Sequence, residues 1–203
     1  FKKETGINFR LVTGKADGLL KRLEIEGDLS PADIFITVDA GRLQRAKKAG
    51  VLQQINNAIL EKLIPASLRD KENYWFGLSQ RSRTIIYNKK MVNASDLSTY
   101  EELAKPKWKG QLCIRSSDSI YNQSLVASMI EANGIEKTES WVRGLVSNFA
   151  RPPSGGDIDL LKNTAAGQCS IALANTYYLG RLMNSKKNSE RKITQKLAVF
   201  WPN

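Results

Sequence analysis

The chain has 203 residues, and 31 Lys and Arg against 20 Asp and Glu leave it a formal net charge of +11. Its 41% hydrophobic and 25% charged residues are ordinary globular composition, which excludes disordered, collagenous and membrane-embedded chains. No apolar run approaches the roughly 18 to 20 residues of a membrane-spanning helix. The lack of histidine removes His-based triads and His-containing zinc sites, while Cys113 and Cys169, too far apart for a ribbon or finger motif, read as two buried thiols or one disulfide.

Phe1-Lys2-Lys3-Glu4-Thr5-Gly6 reads as the last turn of a helix ending at a glycine, with no initiator Met before it, so a trimmed or fragmentary chain is expected. Short apolar runs then alternate with longer amphipathic stretches, the pattern of an α/β protein. Asn8 to Thr13 and Ala32 to Val38 read as buried strands flanking a helix over Ala16 to Glu26, followed by a helix over Ala40 to Ala49. The rhythm breaks around Pro65 and Trp75 to Leu78 and resumes with a strand at Thr84 to Tyr87. Strands are expected at Gln111 to Arg115, Ser170 to Ala174 and Leu197 to Trp201, and helices over Ser119 to Asn133, Trp141 to Phe149, Ile158 to Ala166 and Tyr177 to Met183, with Asn184 to Lys192 a polar stretch. The simplest partition is two α/β lobes built on parallel sheets, residues 1–80 and 81–203, with a crossing near Leu78 to Asn88.

In open parallel sheets ligands bind beyond the carboxyl ends of strands, where helix N-termini point free N–H groups. That rule selects Ser116 to Tyr121 after one strand and Asn175 to Tyr178 after another, so three of the six tyrosines fall on one rim. Phenolate oxygen is a hard donor suited to Fe(III), and a helix N-terminus lowers the cost of deprotonating a phenol. On the residues alone, the plainer reading is preferred: Tyr177-Tyr178 as one core and one surface tyrosine, with Tyr121 merely packing.

Three segments carry a specific resemblance: GLSQRSRTIIYNKKMV (Gly77 to Val92), YEELAKPKWKGQLCIRSSDSIYNQSLVASMI (Tyr100 to Ile130) and NFARPPSGGDIDLLKNTAAGQCSIALANTYYLGRL (Asn148 to Leu182). They resemble the bacterial ferric-iron-binding proteins of ABC importers, closest to the cyanobacterial-type iron(III) substrate-binding proteins. The resemblance implies a type II periplasmic-binding-protein fold, here with an incomplete first lobe and a chain truncated at both ends. It implies Tyr121, Tyr177 and Tyr178 as ligands of Fe(III), with further donors from an upstream segment, and a monomeric periplasmic protein that closes on its ion and hands it to a membrane permease.

Around those ligands Arg81, Arg83 and Arg181 are candidates to hold phenolates ionised, or are solvated arginines of a basic protein. Ser116, Ser117 and Ser119 would cap the following helix or hold an anion, and Asp157, after Gly155-Gly156, would cap the next one. In an oxidising periplasm Cys113 and Cys169 are expected to form a disulfide between neighbouring strands. Nucleic-acid binding is disfavoured because the basic residues are scattered and the tryptophans lie in apolar segments, and an enzyme would need a nucleophile and base that the chain does not offer. A binding protein for another small ligand (anion, sugar or polyamine) on the same fold is the rival reading.

Overall fold

The computed structural model describes residues 1–202 and divides into two units, Phe1–Leu78 and a second from Ser79 onward. In the first, α1 (Lys2–Thr5) ends at Gly6, whose φ of 72° lets its N–H bond the Lys2 carbonyl. Helices α2 (Ala16–Glu26), α3 (Ala40–Lys48) and α4 (Ala58–Leu63) follow. Asp39 caps α3 by accepting from the Gly41 N–H, and Asn57 caps α4 by accepting from Ile59 and Leu60. The buried carboxylate of Asp70 pairs with Lys47 at 2.9 Å and accepts the N–H groups of Glu72 and Tyr74, which fixes the turn before Trp75.

The two strands expected in this unit are absent. Residues 8–13 and 32–38 are irregular, and Leu11 and Ile34 stand 73% and 79% exposed. A strand exists only where a neighbour supplies N–H and C=O partners, and among the described residues none pairs with either segment.

The second unit is built on β1 (Arg83–Asn88), β2 (Leu112–Cys113), α5 (Ile120–Asn133), α6 (Ile135–Ser147), α7 (Asp157–Ala165), β3 (Ile171–Asn175), α8 (Thr176–Met183), α9 (Asn188–Thr194) and β4 (Leu197–Phe200). The strands form one sheet in the order β2-β3-β1-β4. It is mixed rather than parallel: β2 runs parallel to β3, whereas β1 is antiparallel to both β3 and β4. Helix α9, in the stretch read as merely polar, was not legible because its sequence NSERKIT buries no residue and so carries no apolar period.

The period of two along β1 sorts the core onto two faces of this sheet. Ile85 and Tyr87 join Leu112, Ile171, Leu173, Trp108, Met129, Trp141 and Leu145 on one side, while Ile86 joins Leu161, Ala174, Leu179, Leu182 and Leu197 on the other. Trp108 and Trp141 are therefore core residues, and the indole N–H of Trp141 is spent on the Tyr100 carbonyl at 2.7 Å. Strand β3, buried at all five positions, is the centre of the layer.

Cys113 and Cys169 form a disulfide, with Cα atoms 5.9 Å apart, packed against Leu160 and Ala172. The link does not lie across facing strand positions: Cys113 registers with Ala172, and Cys169 precedes β3 by two residues. Closing a link of 56 residues removes unfolded-chain entropy, and the C113A/C169A double variant is expected to be about 2–4 kcal/mol less stable in denaturant unfolding. The wild-type protein, denatured without reductant, should take up no thiol reagent.

Candidate metal centre

Strand directions decide which side chains meet. Because β2 and β3 are parallel, their carboxyl ends lie on one edge, and each leads into a helix there: α5 begins at Ile120 and α8 at Thr176. Because β1 is antiparallel, its amino end reaches the same edge, with Arg83 in register with Asn175. Arg81, Tyr121, Tyr177 and Tyr178 are thus gathered at one end of one sheet, all within the second unit.

The hydroxyl of Tyr177 donates to that of Tyr121 at 3.1 Å, although the two residues are 56 apart in sequence. The rings of Tyr177 and Tyr178 lie 4.2 Å apart, tilted by 34°, and Tyr178 also packs against the apolar core beneath α8. Two oxygens in neighbouring positions on a small octahedral cation with bonds of about 2.0–2.1 Å sit about 2.9 Å apart. The Tyr121–Tyr177 separation is close to that spacing. Among the described residues no group of three His, Cys, Asp or Glu could hold a metal instead.

Burial raises the phenol of Tyr177 well above its ordinary value, and its hydrogen bonding with Tyr121 and Tyr178 pushes it further. Burial likewise raises Tyr178, partly opposed by its hydrogen bond with Tyr177. At these two residues burial is the largest influence and holds the proton, so both phenols are neutral without a cation beside them. Arg81 lies over the Tyr177 ring at 5.2 Å and Arg115 over the Tyr121 ring at 5.6 Å, close enough for cation–π attraction.

Arg81 is otherwise exposed, and Arg181 is exposed with no hydrogen bond or ion pair among the described residues. Ser119 occupies the N-cap position of α5 without capping it; its buried hydroxyl has no hydrogen-bond partner among the described residues. The Ser116 hydroxyl is turned to the Asp118 carboxylate, and Ser117 is exposed with its carbonyl held by Gln123. Asn122 ties this loop down through the carbonyls of Arg115 and Ser116.

Asp157 is not a helix cap either. Helix α7 takes Gly156 as its N-cap, and the Gly156 N–H is satisfied by Asp159 at 2.8 Å. The Asp157 side chain is fully buried, bonded to Arg83 and to Arg115 at 3.0 Å each. Arg83 is accordingly no solvated arginine: its guanidinium also reaches the Leu173 carbonyl at 2.8 Å, and its own carbonyl accepts from the Tyr100 hydroxyl. Burial works against the Arg83 charge and Asp157 supports it. Arg115 escaped sequence reasoning because its partner lies 42 residues away, where no local spacing can signal the pair.

This architecture, a mixed α/β sheet whose strand ends present a polar rim, is that of type II substrate-binding proteins. The chain belongs to the family of bacterial extracellular solute-binding proteins, which matches it over residues 30–203.

Among its relatives is iron uptake protein A1 of Synechocystis sp., 49% identical over all of this chain and 56% of that protein. The Fe(3+)-binding periplasmic protein of Serratia marcescens is 28% identical over 98% of this chain and 58% of its own length. Among solved structures, the Trichodesmium protein in complex with iron and citrate superposes with a TM-score of 0.96 at 52% identity, covering all of this chain and 64% of the other. The ferric binding protein from Campylobacter jejuni gives 0.92 at 40% identity, with the same coverage. The chain therefore spans somewhat more than half the length of these relatives.

The raised phenols have a measurable signature. The folded chain holds these protons more tightly than the unfolded one, so the stability from the neutral pair is complete below about pH 10 and falls as pH climbs from there towards the folded values. In an ultraviolet titration of tyrosinate absorbance, Tyr177→Phe and Tyr178→Phe should each remove signal from the late, most alkaline part of the curve and leave the early part unchanged.

Proposed function

We propose that this chain carries part of a ferric-iron site in which Tyr121, Tyr177 and Tyr178 bind Fe(III) as tyrosinates. The protein would act in the periplasm as a monomer and deliver its cargo to the permease of an ABC importer. The observation that carries the reading is the 3.1 Å approach of the Tyr121 and Tyr177 hydroxyls, from residues with no sequence proximity, beside Tyr178. The relatives that are iron uptake and ferric-binding proteins support the choice of cargo.

The chemistry follows from the donor set. A phenol that burial keeps protonated is released only by a cation strong enough to displace its proton, which favours a small, highly charged, oxygen-seeking ion over softer divalent competitors. Capture therefore liberates protons, and affinity rises with pH while the phenols are neutral. Three phenolates satisfy about half of an octahedral ion's positions, leaving the others to water, an anion or further donors. A sugar or polyamine site would instead need an aromatic box or carboxylates facing its ligand.

Ferric citrate added to the chain should give a purple to red solution through phenolate-to-iron charge transfer, whereas a binder of sugars or simple anions would stay colourless. In competition with a chelator, Tyr121→Phe, Tyr177→Phe and Tyr178→Phe should each weaken binding by more than the ~10–100-fold typical of losing an outer partner of a metal site. Tyr87→Phe, within β1 and packed into the core, should leave affinity unchanged. Equal effects at all four positions would remove the ligand assignment.

A further inference from the structure

We propose that Asp157 is the positioning residue of the tyrosine cluster, acting on Tyr121 through Arg115 and on the Tyr177-Tyr178 segment through Arg83 and Asn175. The inference rests on the ferric-site reading and deepens it, by naming what holds the donors in place before an ion arrives.

One fully buried carboxylate touches all three chain segments that build the site. Its Oδ1 accepts from Arg83 at 3.0 Å and from the backbone N–H of Asn175 at 3.3 Å, and its Oδ2 accepts from Arg115 at 3.0 Å. Asn175 is the residue from which α8 springs, two positions before Tyr177. Arg115 leaves β2 six positions before Tyr121 and lies over that tyrosine's ring. Asp157 itself is held at the first position of α7, where the free N–H groups and the positive end of the helix favour a carboxylate.

The two arginines are not equally dependent on it. Arg83 is 7% exposed in its side chain and keeps the Leu173 carbonyl and the Asn175 side-chain oxygen, at 2.8 and 3.2 Å, as further acceptors. Arg115 is 27% exposed, and Asp157 is its one ion-pair partner among the described residues. Loss of the carboxylate charge therefore releases Arg115 first, and with it the cation that sits over Tyr121. The Tyr121 hydroxyl is then free to leave the Tyr177 hydroxyl, which is the geometry a cation would need.

Two variants and two readouts test this. Asp157→Asn keeps the shape and removes the charge, while Arg115→Gln cuts the same link at its more exposed end and leaves the Arg83–Asp157 pair intact, so it decides the question if Asp157→Asn does not fold. In the iron-free chain, the proton nuclear Overhauser effect between the Tyr121 and Tyr177 rings should be present in the wild type and weakened severalfold in both variants. With ferric citrate, both should bind about 10–100-fold more weakly than wild type, with a displaced charge-transfer band. Full Overhauser intensity in the folded variants, or wild-type affinity and band position in them, overturns the inference. If the wild type takes up no ferric ion, the functional reading falls, while the Overhauser comparison still decides whether Asp157 positions the tyrosines.

Discussion

The arrangement of the second unit's polar edge depends on one buried carboxylate shared between two guanidinium groups. Asp157 sits without solvent contact between Arg83 and Arg115. Removing one partner of such a group strands a charge in a medium that cannot solvate it, at a cost of about 3–5 kcal/mol. The constraint is directional as well as energetic. Each carboxylate oxygen has a distinct set of donors, so β1, the exit of β2 and the end of β3 are held in one mutual placement. The Nε of Arg83 has no acceptor among the described residues, a sign that this cluster is organised around charge pairing more than around full hydrogen-bond satisfaction.

Mixed strand directions make that cluster attainable. A parallel β2–β3 pair brings two helix starts to one edge, and an antiparallel β1 returns its amino end there. In an all-parallel sheet Arg81 and Arg83 would emerge at the opposite edge from the tyrosines. The disulfide reinforces the same pairing from below, joining Cys113 of β2 to the residue run that enters β3.

The phenols carry a tension that suits capture of a strongly polarising cation. Burial keeps Tyr177 and Tyr178 protonated, reinforced at Tyr177 by its hydrogen bonds, yet Arg81 and Arg115 lie over the rings of Tyr177 and Tyr121 and would ease the accumulation of negative charge once protons leave. In the proposed ferric site this would disfavour weak competitors, because a poor Lewis acid cannot displace the protons that desolvation holds in place.

Local chemistry made much of this visible in the residues themselves. Ala16 to Glu26 shows its helix through Leu19, Leu20 and Leu23, Gly6 ends α1 at the position read for it, and the apolar run IALA followed by Asn175 announces a buried strand that turns into a helix carrying Tyr177 and Tyr178. Those features depend on side-chain period and backbone freedom within a few residues. The segments 8–13 and 32–38 have the same apolar character and form no strand, since pairing needs a partner that no local pattern supplies. Likewise Asp157, with the residue type of a helix cap, is taken from α7 by two arginines 74 and 42 residues away. Period and turn chemistry act over one or two turns and are written in the chain; the direction of β1, the Asp157 pairing and the meeting of Tyr121 with Tyr177 are long-range contacts, decided only when the sheet closes and burial makes each unpaired charge costly.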